Sequence, residues 1–124
     1  MEAINDELFK VEKLDHTDGL IKAELSINAD STIFKGHFPD QPVIPGACML
    51  QIVKEVLESA LGHTLLIRKA GNLKFIGMID PLVTCSVQLE IAYKFVEDGI
   101  GATGKLSDGD RVCFKCSVVA VERQ

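Results

Sequence analysis

Ala47-Cys-Met-Leu-Gln51-Ile-Val-Lys54-Glu55-Val-Leu-Glu58-Ser-Ala-Leu61 decides the architecture, because its apolar residues follow no period of two. They fall at 47–50, 52, 53, 56, 57, 60 and 61. At about 100° per residue, Gln51, Lys54, Glu55 and Glu58 gather into one narrow stripe on an otherwise apolar helix. Pro45 stands near the start, where its missing N–H costs nothing, and Gly62 supplies a stop. A helix apolar around most of its circumference has to be wrapped by other structure.

The segments on either side read as strands. Ile21, Ala23, Leu25 and Ile27 alternate with Lys22, Glu24, Ser26 and Asn28, and Asp18-Gly19 turns the chain from a weaker strand around Phe9 and Val11. Val87, Leu89, Ile91 and Tyr93 repeat the alternation. Asp98-Gly99 leads into Ile100–Leu106 and Asp108-Gly109 into Val112–Glu122, an antiparallel meander. A further strand is expected over Asn72–Ile79, ending before Asp80-Pro81, since Pro lacks a ladder donor. One buried helix and about six antiparallel strands make an α+β domain in which a curved sheet folds around the helix. No linker or repeat divides residues 1–124, so a single domain is expected.

Composition narrows the function. Thirteen Lys and Arg against eighteen Asp and Glu leave a net charge of −5, which argues against a nucleic-acid partner, although a local basic patch (Lys35, Arg68, Lys69, Lys74) stays open. No apolar run approaches a membrane span, and the acidic opening MEAINDELFK lacks a signal-peptide pattern, so a cytoplasmic location is expected. The four cysteines, Cys48, Cys85, Cys113 and Cys116, are too sparse for a disulfide scaffold. Cys113 and Cys116 have CxxC spacing, but they lie on a strand with no second ligand pair nearby, so buried or half-buried thiols are expected and no metal.

The loop Lys35-Gly-His37-Phe38-Pro-Asp40-Gln-Pro-Val43-Ile-Pro45-Gly46 enters the helix directly, stiffened by its prolines. The first amides of a helix have no intrahelical acceptor, and with the positive end of the dipole they polarise a carbonyl or hold an anion. His37 is the one side chain in this loop whose intrinsic pKa suits proton transfer near neutrality. On these grounds alone a proline-rich connector with an incidental surface histidine is an equal alternative. His16, beside Asp18-Gly19, and His63, after Gly62, read as turn residues, and Asp40 as a solvated loop residue.

The order His37-Phe38-Pro39, Pro42, Pro45-Gly46 resembles the HFPxxPxxPG signature of the hotdog-fold β-hydroxyacyl-acyl carrier protein dehydratases. Lys74-Phe75 and Asp80-Pro81 resemble that family's second block. The resemblance implies a lyase of fatty-acid or related acyl-chain biosynthesis. In that reading His37 takes the α-proton of a 3-hydroxyacyl thioester, and the Gly46 amide binds the thioester carbonyl. The Val43 carbonyl orients the imidazole, and Phe38 and Pro45 lie beside the substrate. The resemblance also implies an acyl carrier protein or CoA thioester as partner and no metal or diffusible cofactor. It further implies a homodimer or trimer of dimers, whose partner helix supplies the second catalytic residue.

At that second position the family carries Glu or Asp, and this chain carries Gln51, with Glu55 one turn on. An amide cannot donate a proton as a carboxylic acid does. Three readings stay open: His37 acts alone, Glu55 serves as the acid, or dehydration is lost and the chain is an acyl-carrier-binding or partner subunit. A solvated stripe shared with Lys54 and Glu58 is the bland reading of both residues. A thioesterase of the same fold is the enzymatic rival, and it too normally needs a carboxylate at the helix.

Overall fold

A computed structural model describes residues 8–29 and 44–123. The elements run β1 (Phe9–Thr17), β2 (Leu20–Ile27), α1 (Gly46–Leu61), β3 (Leu65–Phe75), β4 (Ser86–Val96), β5 (Gly99–Asp108) and β6 (Arg111–Glu122). The strands form one six-stranded sheet in the order β1-β2-β4-β5-β6-β3, every pairing antiparallel. The expected helix and meander are therefore present, with β3 carried to the far edge next to β6.

Alternation sets which face turns inward. Ile21, Ala23 and Leu25 of β2, Val87, Leu89 and Ile91 of β4, and Ala102 and Leu106 of β5 are buried. So are Cys116, Val118 and Ala120 of β6. α1 lays Cys48, Met49, Ile52, Val53, Val56 and Leu57 onto that surface, so the core is a single layer between helix and sheet. The sheet covers one side of the helix only. Leu50, Gln51, Lys54, Glu55 and Glu58 on the other side are half-buried.

The helix ends as its sequence dictates. Gly62 adopts φ 75°, and its N–H bonds the Glu58 carbonyl at 2.8 Å, a left-handed cap that a Cβ would strain. The Glu58 carboxylate then accepts the Leu65 N–H at 2.7 Å, tying α1 to the start of β3.

Two expectations are corrected here. β3 occupies Leu65–Phe75 rather than Asn72–Ile79, and Ile76–Ile79 leaves the ladder. The pairing with β6 is interrupted at Ile67/Lys69 and again at Gly71/Lys74, where Asn72 takes a φ of 53°. Those bulges break the period of two. His16 lies within β1 rather than in a turn, with its Nε2 2.5 Å from the Tyr93 hydroxyl.

Cys48, Cys113 and Cys116 are buried as free thiols, whereas Cys85 is exposed, against expectation. Burial pushes the Cys48 thiol above its ordinary value. It does the same for Cys116, partly offset by a backbone hydrogen bond with Gly104. Thiol-disulfide reagents should therefore label Cys85 quickly in the folded protein, and the other three only at the rate of unfolding. A peptide map of the labelled protein checks this; fast labelling of Cys116 would contradict the packing.

Candidate active site

Pro45, with φ −63° and ψ 145°, brings the chain extended into α1, and among the described residues no side chain caps the first turn. Its carbonyl accepts the N–H groups of Cys48 at 3.0 Å and Met49 at 3.3 Å. The Gly46 and Ala47 amides lie ahead of these bonds, where a helix has no acceptor of its own. Just upstream, buried Ile44 donates its N–H to the Ile79 carbonyl at 3.0 Å, pinning the helix entrance to the segment after β3.

Gly46 is fixed by a close approach: a Cβ there would run into the ring of Phe75. Phe75 is seated on buried Phe114, with ring centroids 5.1 Å apart and planes tilted by 30°. Its outer side stays 58% exposed, so the ring forms a wall rather than part of the core. Gly46, Met49, Phe75, Ile76 and Met78, with Arg111 at the rim, bound an open groove of about 560 Å³. An apolar slot bordered by a helix N-terminus is suited to an acyl chain whose terminal carbonyl takes up negative charge.

The far wall of the groove is held by polar contacts. Arg111 Nη1 donates to the Met78 carbonyl at 3.1 Å, and Nη2 reaches Asp108 Oδ2 at 3.2 Å. The same carboxylate oxygen accepts the buried Thr84 hydroxyl at 2.9 Å. Beyond Met78 the chain exposes Leu82 (71%) and Val83 (82%) on the turn opened by Asp80. Together with Phe75, Ile76 and Met78 these make five exposed apolar side chains within residues 75–83.

Of the residues singled out in the sequence, Gly46 lines this groove, and Pro45 immediately precedes it as the N-cap of α1. Gln51 and Glu55 do not line it. They sit on the half-buried face of α1 and are joined: Gln51 Nε2 donates to Glu55 Oε2 at 2.8 Å. Their stripe continues in the ion pair Lys54–Glu58 at 3.5 Å. His37, Phe38 and Val43, with Lys35 and Asp40, lie outside the described residues. Met49, Met78 and Arg111 were not anticipated from the sequence. The run Phe75-Ile-Gly-Met78 beside a proline turn was their one available signal.

Six antiparallel strands laid around one helix define the hotdog class. The dehydratase heterocomplex ApeI:P from Xenorhabdus doucetiae shares the fold with a TM-score of 0.74, covering 91% of this chain and 97% of that one at 16% identity. The putative thioesterase yhdA of Lactococcus lactis shares it with a TM-score of 0.70 over 100% of both chains at 12% identity. Within that class, residues 12–105 match the ApeI-like family, described as ApeI dehydratase, and the chain belongs to it. The 3-hydroxyacyl-[acyl-carrier-protein] dehydratase FabZ of Shewanella woodyi is 30% identical over 110 residues, 81% of this chain and 72% of that protein. The enzyme of the same description from Latilactobacillus sakei is 24% identical over 98 residues, 73% and 70% of the two chains.

Proposed function

We propose that the protein eliminates water from 3-hydroxyacyl thioesters carried on acyl carrier protein or CoA. The observation that supports this most directly is the apolar groove lined by Gly46 at the first turn of α1. A thioester carbonyl laid there receives a hydrogen bond that strengthens as charge develops on oxygen, lowering the cost of removing the α-proton. His37, entering the helix through the same loop, is the base. The C–H electron pair forms the C2–C3 double bond, the C3–O bond breaks, and the proton collected by the imidazole leaves with the hydroxide as water. No metal or redox cofactor enters this balance.

The Gln51–Glu55 pair is the second half of the site. Gln51 spends one N–H on Glu55, and its other N–H and its carbonyl oxygen can hold the departing hydroxyl. Because this pair is on a different face from the groove, each copy's helix presents it across the interface to the groove of its neighbour. The exposed strip Phe75–Val83 is the surface that such a dimer would cover. A hetero-partner presenting the same face is the second reading, favoured by the amide at position 51.

Incubation with 3-hydroxyacyl and trans-2-enoyl thioesters, with analysis of products, tests the assignment. Interconversion of the two is expected, and release of free acid would make the protein a thioesterase. Gln51→Glu separates the remaining cases. Little change in rate is expected if His37 recycles its own proton; a gain of about tenfold or more would show that the natural site lacks an acid that one carboxyl restores. Glu55→Gln should then cost less than about tenfold, because the Gln51 contact keeps its geometry.

A further inference from the structure

The outer face of the sheet, opposite α1, carries an unusual row. Reading straight across the register, Asp15 pairs with Lys22, Lys22 with Glu90, Glu90 with Lys105, Lys105 with Lys115, and Lys115 with Lys74. The first strands alternate in sign, and the last three are all cationic. Buried Gly104 and Leu106 flank Lys105, and buried Phe114 and Cys116 flank Lys115, so both lysines point away from the core. Like charges directly opposite one another destabilise a sheet. Lysines are useful on an edge strand to block further pairing, but Lys105 and Lys115 stand on interior strands, where that explanation fails.

None of the ion pairs among the described residues, Lys54–Glu58, His63–Glu122, Arg68–Asp98 and Arg111–Asp108, takes up these three cations. Glu90 is the register neighbour of Lys105 but makes no ion pair with it within the described residues. The bulge at Gly71/Lys74, with Asn72 in left-handed geometry, brings Lys74 opposite Lys115. The row borders a groove of about 560 Å³ with Asn72, Thr103 and Ser117 in its lining, and Glu90 as its one acidic group.

We infer that this groove binds a small molecule bearing linked phosphate groups, held by Lys74, Lys105 and Lys115. Adjacent strands lie about 4.8 Å apart, so the three ammonium groups span about 10 Å, the reach of a di- or triphosphate rather than of one carboxylate. Asn72 and Ser117 supply neutral donors for phosphate oxygens, while the Thr103 hydroxyl donates to the Ala92 carbonyl at 3.5 Å. An acidic protein surface is the poorer fit. The positive surplus is confined to β5, β6 and β3, while Asp15, Glu24 and Glu90 on the same face would repel a broad anionic partner. The site is separate from the groove at Gly46, so its failure would leave the dehydratase reading standing.

Calorimetric titration of the full chain with inorganic triphosphate at fixed ionic strength tests this, with thermal unfolding as a second readout. Saturable one-to-one binding and a raised melting temperature are expected. The Lys105→Gln/Lys115→Gln double variant should weaken binding by about tenfold or more, and Lys94→Gln, on the same face outside the row, should not. Melting of the unliganded double variant at or above the parent's temperature controls for folding. Absence of saturable binding, an unchanged affinity in the double variant, or equal binding of sulfate at matched ionic strength would each overturn the site.

Discussion

His37→Ala is expected to lower dehydration of a 3-hydroxyacyl thioester by about 10²–10⁴-fold, the usual contribution of a positioned general base, with the unfolding midpoint unchanged. The other two histidines are committed elsewhere. His16 bonds Tyr93, and His63 lies 3.5 Å from Glu122 past the far end of α1. Neither borders the groove at Gly46, so His63→Ala is the matched control and should keep full activity. The pH profile supplies a second check: the rate should rise through the range in which an imidazole loses its proton, and that limb should vanish in His37→Ala. A variant that retained more than a tenth of the parent rate would remove His37 from the reaction.

Phe114→Ala should cost about 3–5 kcal/mol of unfolding free energy, within the range for deleting a buried aromatic ring. Phe114 is wholly buried, and it stands opposite Leu106 on one side and Phe75 on the other. Truncation leaves a cavity in the β5–β6 core and takes away the surface on which Phe75 rests. Activity should fall even below the denaturation temperature, because the wall over Gly46 loses its seat. Urea unfolding combined with turnover at low temperature separates the two effects. A loss of less than about 1 kcal/mol would mean the core closes over the gap.

Most of the fold is legible in the sequence because burial on one side imposes a period on the residues that make it. β2 and β4 bury one face and show plain alternation, and the Asp98-Gly99 and Asp108-Gly109 turns mark β5 and β6. The helix is marked by its polar stripe, whose members Gln51 and Glu55 do meet as their spacing implies. β3 escaped for a physical reason. It is an edge strand, mostly exposed on both faces and interrupted twice by bulges, so no alternation survives. The apolar residues Ile76 and Met78, which suggest a strand continuing to Ile79, line a groove instead.

The site divides in the same way. The helix start at Pro45-Gly46 is legible because a helix entrance is a local event. Phe75 over Gly46 and Arg111 against Met78 join residues distant along the chain, and only strand order brings them together. The lysine row is of the same kind: Lys74, Lys105 and Lys115 mean nothing until the register sets them side by side.

One wall of the groove is suspended rather than cemented. Met78 is held to the β5–β6 hairpin through a guanidinium that is 51% exposed and a shared carboxylate that is 34% exposed, and bonds this open to water are weakened by salt screening. The opposite wall, Phe75 on Phe114, rests on rigid aromatic packing. A slot with one fixed jaw and one sprung jaw adjusts its bore at small energetic cost. Under the proposed dehydration, substitutions at Asp108 or Arg111 would thus retune which tail lengths the groove admits and leave the helix tip unchanged.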